Sequence, residues 1–131
     1  MTTPTGTVEQ TDIVFPAQAN HHGTLFGGNA LQLMAKAAFL AARGAAQRDV
    51  VMAGVTDVRF LAPVPVGQVL TLRAWVTRVG RSSLTVCVSG LAATLGSPQD
   101  EVLKGIFEMV AVDGKGHPTP ITHAYLNQEA A

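Results

Sequence analysis

Hydrophobic positions along this chain follow two different spacings. Over residues 8–15, Val8, Ile13, Val14 and Phe15 precede Pro16, which cannot extend a strand ladder, so a first strand is predicted there. A loop follows at 17–26. Over 27–47 the chain is rich in Ala and Leu and free of proline, and Leu31, Met34, Ala35, Ala38 and Ala42 recur every three or four residues, the period of one helix face. At ~1.5 Å of rise per residue, ~20 residues make a helix about 30 Å long. The small side chains Ala35, Ala37, Ala38, Ala41 and Ala42 let other backbone approach closely, so a sheet is expected to bury this helix.

Four β-rich segments come next, at 50–61, 68–79, 83–94 and 102–112. Turn-forming runs separate them: 63–67 with Pro63, Pro65 and Gly67, 80–82 from Gly80, and 96–100 with Gly96 and Pro98. Leu70, Leu72, Ala74 and Val76 alternate with Thr71, Arg73, Trp75 and Thr77, the period of a strand with two unlike faces. One strand, one long helix and four strands joined by short links imply an α+β arrangement with an antiparallel sheet, because parallel neighbours would require crossover helices. From about residue 113, Gly114, Gly116, Pro118 and Pro120 predict an irregular, mobile tail.

Composition narrows the function classes. A chain of 131 residues with 47% hydrophobic side chains fits one domain spanning 1–131. Nine basic residues balance nine acidic ones, which argues against a surface built for nucleic acid or an anionic membrane while leaving room for a local anion site. Cys87 is the single cysteine, no CxxC pair exists, and no apolar run approaches the ~20 residues of a membrane span. No metal site, disulfide or membrane partner is expected, residues 1–7 do not read as a signal peptide, and the expected location is the cytosol.

Three motifs in order then carry a family resemblance: N-H-H-G-T-L-F-G-G at 20–28 before the helix, F-L-A-P-V-P-V-G at 60–67, and V-G-R-S-S at 79–83. Together with the element order they resemble the acyl-CoA hydrolase branch of the hot-dog thioesterases, over roughly residues 8–112. The resemblance implies a hot-dog fold, in which a curved antiparallel sheet wraps one long central helix. It also implies hydrolysis of an acyl-CoA thioester to free acid and CoA, with coenzyme A entering only as part of the substrate and no other cofactor.

The chemistry supplies reasons for these residue types. Thioester hydrolysis develops negative charge on the carbonyl oxygen, so the site wants preorganised donors aimed at it. Helix-initiating N–H groups at Gly27 and Gly28 have no intrahelical acceptor, carry the positive end of the helix dipole, and leave room for a carbonyl. The resemblance implies that Gly27 is the oxyanion donor; the plainer alternative is that both glycines only permit the turn into the helix. Asn20 offers an amide donor and a carbonyl acceptor, for a water, for the thioester, or simply for a turn. Adjacent His21 and His22 suit a surface role better than catalysis, having no third ligand at metal spacing.

Position 35 departs from the pattern. Seven residues after the second glycine the family's enzymes carry an acid, acting as base or nucleophile, and here the residue is Ala35. Lys36 cannot replace it, since one step along a helix turns a side chain by about 100°. Asp57 is the one nearby carboxylate considered as a substitute. Two origins fit: a naturally non-hydrolytic member, or an inactivating Asp-to-Ala exchange, favoured because Asn20, Gly27 and Gly28 are intact. Ala35 as a plain helix former is a third.

For the CoA phosphates, Arg81, Ser82 and Ser83 are the binding candidates implied by the resemblance, with Arg59 a weaker one; a solvated hairpin turn is the alternative. Leu31, Met34 and Phe39 are candidates for an acyl slot or for ordinary core. The family's sites are completed across subunits, so a homodimer at minimum, and a tetramer or hexamer beyond it, is expected. A non-catalytic acyl-CoA binding or sensing module remains the alternative function. A hot-dog dehydratase fits less well, because no His and acidic pair is spaced on the helix.

Overall fold

The computed structural model describes residues 6–126; residues 1–5, and with them most of the N-terminal stretch considered for a signal, lie outside it, as does the end of the tail at 127–131. The elements are β1 (Thr7–Ile13), a 3-10 turn (Pro16–Gln18), α1 (Gly27–Ala46), β2 (Val50–Phe60), β3 (Val69–Val79), β4 (Ser83–Ala93) and β5 (Asp100–Ala111). The strands form one antiparallel sheet in the order β1-β3-β4-β5-β2. With α1 packed across one face, this is the hot-dog arrangement.

The helix lies on the sheet by the face that periodicity selects, shifted slightly. Ala30, Met34, Ala37, Ala38, Ala41, Ala42, Ala45 and Ala46 are buried, while Ala35 is half-buried and Leu31 is exposed. Alternation holds on the sheet as well: Leu70, Leu72 and Ala74 of β3, Leu84, Val86 and Val88 of β4, and Leu103, Phe107 and Met109 of β5 all point at the helix. Since Cβ atoms alternate across a strand, Trp75, Cys87 and Ser89 lie on the opposite face.

The strand ends differ from expectation in small ways. β1 stops at Ile13, because Phe15 becomes the cap of the 3-10 turn that Pro16 starts, although Val14 is still buried and still pairs with Gln68. β5 begins earlier than predicted, since Asp100 and Glu101 pair with Ala92 and Leu91. The described part of the tail has no regular structure and bonds to the rest of the chain: Thr119 donates to Ala111 O at 2.9 Å, Ile121 to Arg81 O at 2.7 Å and Tyr125 to Ala45 O at 2.8 Å. Its prolines and glycines exclude regular structure, but these backbone bonds hold it across the far end of α1.

Gly90 shows how closely the sheet and its core are packed. A Cβ there would overlap the Leu103 side chain and lie 3.1 Å from Leu72 Cδ2, both buried, whereas a Cβ on Gly54 of the edge strand would meet nothing within 4 Å. Gly90→Ala should therefore cost about 1–3 kcal/mol of stability through overpacking, and Gly54→Ala much less, as measured by urea unfolding.

Candidate functional site at the helix N-terminus

The loop before α1 is built around Asn20. Its Oδ1 accepts from the backbone N–H of His22 at 2.9 Å, the N–H of Thr24 at 3.2 Å and the Thr24 hydroxyl at 3.2 Å. Asn20 N–H donates to Thr24 O at 2.8 Å, closing the turn around Gly23, whose φ of 75° favours glycine. The acceptor side of Asn20 is thus engaged by the loop, and the Nδ2 amide has no partner among the described residues. Of the two capacities expected for Asn20, the structure leaves the donor free.

This loop is clipped to the second sequence motif. Leu25 N–H donates to Val64 O at 2.8 Å and Val66 N–H to Gly23 O at 3.0 Å, while Phe26 N–H closes the loop on itself at Gln18 O, 2.8 Å away. Pro63 and Pro65 lack N–H groups, so the stretch between β2 and β3 cannot extend a strand and serves as a backing for the loop. Two motifs far apart in sequence therefore form one structure.

The entry to α1 carries no compensation for its dipole. Phe26 is the cap residue, with no side chain able to accept a hydrogen bond, and the first turn contains no acidic residue. The first intrahelical bond is Ala30 N–H to Phe26 O at 2.9 Å, so the N–H groups of Gly27, Gly28 and Asn29 have no acceptor within the helix. Both glycines have ordinary helical backbone, which any residue can adopt, so a special turn conformation is not what requires them. Space is a reason at Gly28 alone, since a Cβ on Gly27 would make only ordinary contact. A Cβ on Gly27 would project beside the Phe60 ring at 3.8 Å, and one on Gly28 would press on the Phe26 ring at 2.8 Å.

A cavity of about 340 Å³ opens next to Gly27, walled by Leu25, Ala30, Phe60, Leu61, Val64 and Leu103 among others. The expected acyl-slot residues are not its walls. Met34 is core with no exposure, while Leu31 and Phe39 are 37% and 36% exposed on the side of α1 turned away from the sheet in the single chain. Periodicity marked them as apolar; it could not say which apolar groups border open space. The actual walls include Phe60 and Leu61, which begin the second motif, so they were within reach of the sequence, whereas Leu25, Ala30 and Leu103 come together only by folding.

Ala35 lies seven residues from Gly28, close to two full turns, and so below it on the same helix face. Asp57 does not stand in for the missing acid. It sits in a bulge between Thr56 and Arg59 with φ of 52°, and it shares the sheet face away from the helix with Trp75, Cys87 and Ser89. On the helix side the bulge presents Val58, which with Met34 flanks Gly105. His21 and His22 are exposed, their rings 4.0 Å apart, and among the described residues no group of three or more His, Cys, Asp or Glu side chains converges.

The CoA-binding candidates divide between the two ends of the sheet. Arg59 lies at the cavity end, opposite Lys104, but its Nε is 3.0 Å from Asp57 Oδ1 in an exposed pair. Arg81, Ser82 and Ser83 sit at the β3–β4 hairpin, where Ser83 faces Val110, while Phe60 faces Leu103. The seven steps from 103 to 110 along β5 put that hairpin roughly 25 Å from the cavity. The hairpin is rigid, with Gly80 N–H to Ser83 O and Ala111 N–H to Ser82 O both at 2.7 Å, and Ser83 Oγ accepts from Arg78 at 3.1 Å. Arg81 is exposed with no side-chain partner among the described residues. Within one chain, Arg81 to Ser83 and Gly27 do not meet.

Residues 22–96 match the Thioesterase superfamily, more than half of the chain. The chain belongs to the thioesterase superfamily. It is 34% identical over 115 residues, 87% of its length and 67% of the relative's, to the uncharacterized acyl-CoA thioester hydrolase YkhA of Bacillus subtilis. An acyl-CoA hydrolase from Staphylococcus aureus, in complex with butyryl coenzyme A, coenzyme A and coenzyme A disulfide, superposes with a TM-score of 0.88 at 28% identity, covering 98% of this chain and 79% of that one. The hexameric thioesterase y2039 from Yersinia pestis superposes with a TM-score of 0.82 at 29% identity, covering 86% and 92%. The thioesterase match begins just inside the Asn20 loop and runs through α1 to the end of β4, so it takes in the helix entry and the cavity wall at Phe60.

Asn20 thus has a structural acceptor and an amide donor that substitution can separate. Asn20→Ala, which removes an acceptor of three hydrogen bonds, should cost about 1–2 kcal/mol in urea unfolding. Asn20→Asp keeps the acceptor and should leave stability nearly unchanged, while losing the amide donor.

Proposed function

We propose that this chain is an acyl-CoA thioesterase that holds a CoA thioester at the N-terminus of α1, with the Gly27 N–H polarising the carbonyl and the Asn20 amide orienting a water or the thioester. The observation that carries this is an uncapped helix terminus, without acidic neighbours, opening on an apolar cavity. Such a terminus favours developing negative charge, and low-dielectric walls strengthen that interaction. The acyl-CoA hydrolase relatives support the same substrate class.

In this reading the chain as it stands hydrolyses its substrate very poorly. Ala35 has no proton acceptor, and Asp57 faces the wrong side of the sheet to serve in its place. An Asp-to-Ala exchange in an otherwise intact site accounts for this better than drift does. The second reading, a non-catalytic acyl-CoA binding or sensing module in the cytosol, rests on the same missing acid. No helix among the described residues is long and apolar enough to cross a membrane.

The distance between Arg81 and the cavity bears on assembly. If Arg81, Ser82 and Ser83 hold CoA phosphates, they serve a site on a second copy of the chain, so the functional unit is a homo-oligomer, a dimer at minimum. Edge strand β2, with Val51 and Met52 48% and 50% exposed, offers an unpaired apolar border suited to such a contact. The hexameric relative is consistent with tetrameric or hexameric assembly. Light scattering should find no stable monomer at micromolar concentration, and Arg81→Ala should weaken CoA binding several-fold without changing the assembly.

Position 35 separates enzyme from binding module. Ala35→Asp places a carboxylate on the Gly28 face of α1, and general-base or nucleophilic groups commonly contribute ~10² to 10⁴ in rate. Release of free CoA from acyl-CoA should therefore rise at least about 100-fold in kcat, with KM changing far less because the Gly27, Asn20 and Arg81 contacts are already in place. Vigorous hydrolysis by the unaltered chain would overturn the role given to position 35. No gain from Ala35→Asp, with CoA binding intact, would favour the binding module.

A further inference from the structure

We infer that the chain after β5 is a strap that fixes the β3–β4 hairpin for phosphate binding, and that Ile121 is a positioning residue for Arg81. This rests on the reading above that Arg81, Ser82 and Ser83 hold CoA phosphates. It goes further by giving a role to a segment beyond the matched residues 22–96.

The strap has a defined course. Val112 N–H donates to Asp49 O at 2.9 Å, and the chain then reverses over 113–117. Asp113 Oδ1 accepts from the backbone N–H groups of Lys115 and His117 at 2.9 and 3.0 Å, and Asp113 N–H donates to His117 O at 2.9 Å, so one side chain shapes the reversal. It lays the next residues back along the end of β5, where Pro118 bridges Val112 and Thr119 N–H donates to Ala111 O. Ile121 is half-buried and packs against the core. Further on, Tyr125 N–H bonds Ala45 O and anchors the strap on the last turn of α1.

What the strap holds is a single peptide group. Arg81 and Ser82 are the two central residues of the turn that Gly80 N–H closes on Ser83 O. Ser82 O is held by the end of β5, through Ala111 N–H at 2.7 Å, whereas Arg81 O is held by the strap, through Ile121 N–H at 2.7 Å. The peptide between Arg81 and Ser82 is the one whose rotation converts one turn type into another. In a trans peptide the carbonyl and the following N–H point opposite ways, so fixing Arg81 O toward Ile121 aims Ser82 N–H away from the strap. The N–H groups of Arg81 and Ser82 have no acceptor among the described residues, and the Arg81 side chain is exposed without a partner there. Two backbone donors and a guanidinium at one tip suit phosphate oxygens, and donors oriented before the ligand arrives lose less entropy on binding. A tip released from the strap keeps the same groups but not their direction.

The test is a double-mutant cycle on CoA affinity, measured by calorimetry on the full chain with folding checked by circular dichroism. Ile121→Pro removes the N–H that Arg81 O accepts. Asp113→Ala removes the acceptor that shapes the reversal, and Asp113→Asn is its control, since it keeps an acceptor and lacks the same charge. Ile121→Pro and Asp113→Ala should each weaken CoA binding by roughly three- to tenfold, while Ile121→Val and Asp113→Asn bind no more weakly than the unaltered chain. On an Arg81→Ala background the two weakening substitutions should add at most about twofold, because a strap that acts through Arg81 has nothing left to position. Losses that multiply in full on that background would show a merely structural strap and overturn the inference. Unchanged CoA affinity in folded Asp113→Ala would also overturn it, and this variant decides the matter if Ile121→Pro does not fold. No effect of Arg81→Ala alone, or no binding of CoA by the unaltered chain, would overturn the reading of the hairpin as a CoA site, and this inference with it.

Discussion

Everything at this site depends on how closely α1 lies against the sheet. Ala37, Ala38, Ala41, Ala42 and Ala45 are wholly buried, and none presents more than a methyl group to the strands. Larger residues on that face would lift the helix and enlarge the space between the layers, so the aromatic bulk comes from the sheet side, chiefly Phe107. Leu70, Leu72, Leu84 and Leu103 fill the remaining gaps. A helix seated this way is stiff along its length, and its N-terminus is held at a defined height over β2 and β5. A donor that must act without reorganising needs such a support.

The second constraint is the irregularity of β2. The ladder to β5 slips between Met52 and Gly54 and again between Thr56 and Arg59. Each bulge adds twist and re-aims the side chains beyond it. In the second, Asp57 takes up a left-handed backbone conformation and turns outward to Arg59, while Val58 turns inward toward Met34 and Phe60 reaches the helix terminus. A regular strand in register with β5 would alternate differently and would not deliver Phe60 to Gly27. The same few residues thus bend the edge of the sheet, remove a carboxylate from the helix side and wall the cavity.

Electrostatics at the helix entry follows from what is missing as much as from what is present. A capping serine or aspartate at position 26 would satisfy one of the free N–H groups and offset part of the dipole. Phe26 does neither, and its ring shields Gly28 instead. The loop meets its own hydrogen-bonding needs through Asn20 and Gly23, so no side chain is left over to close the helix end. The positive end of α1 is therefore left without a side-chain cap, next to apolar walls.

Much of this was legible in the residues themselves. Local periodicity determined one long helix and the strands, because hydrophobic spacing of three to four and of two reports which face is buried regardless of what buries it. The residue types at single positions, the glycine pair opening α1, Asn20, and alanine at 35, are likewise visible along the chain, and the structure adds where they sit: the glycines at the helix entry, Asn20 in the loop before it, and Ala35 about two turns further on. What only the tertiary structure decided concerns residues distant in sequence. Leu31, Met34 and Phe39 share the apolar character of Leu25, Phe60 and Leu103, and only the packing shows that the second set borders open space while the first is core or outer surface. The face taken by Asp57 depended on a bulge, which adds one residue to a strand and reverses the alternation that sequence assumes. The separation of Arg81 from Gly27 depended on strand order and register, since the sheet sends the β3–β4 hairpin to the end of the molecule opposite the helix entry. Local interactions select the elements; the direction each side chain faces, and which distant residues it meets, is set only when the sheet closes over the helix.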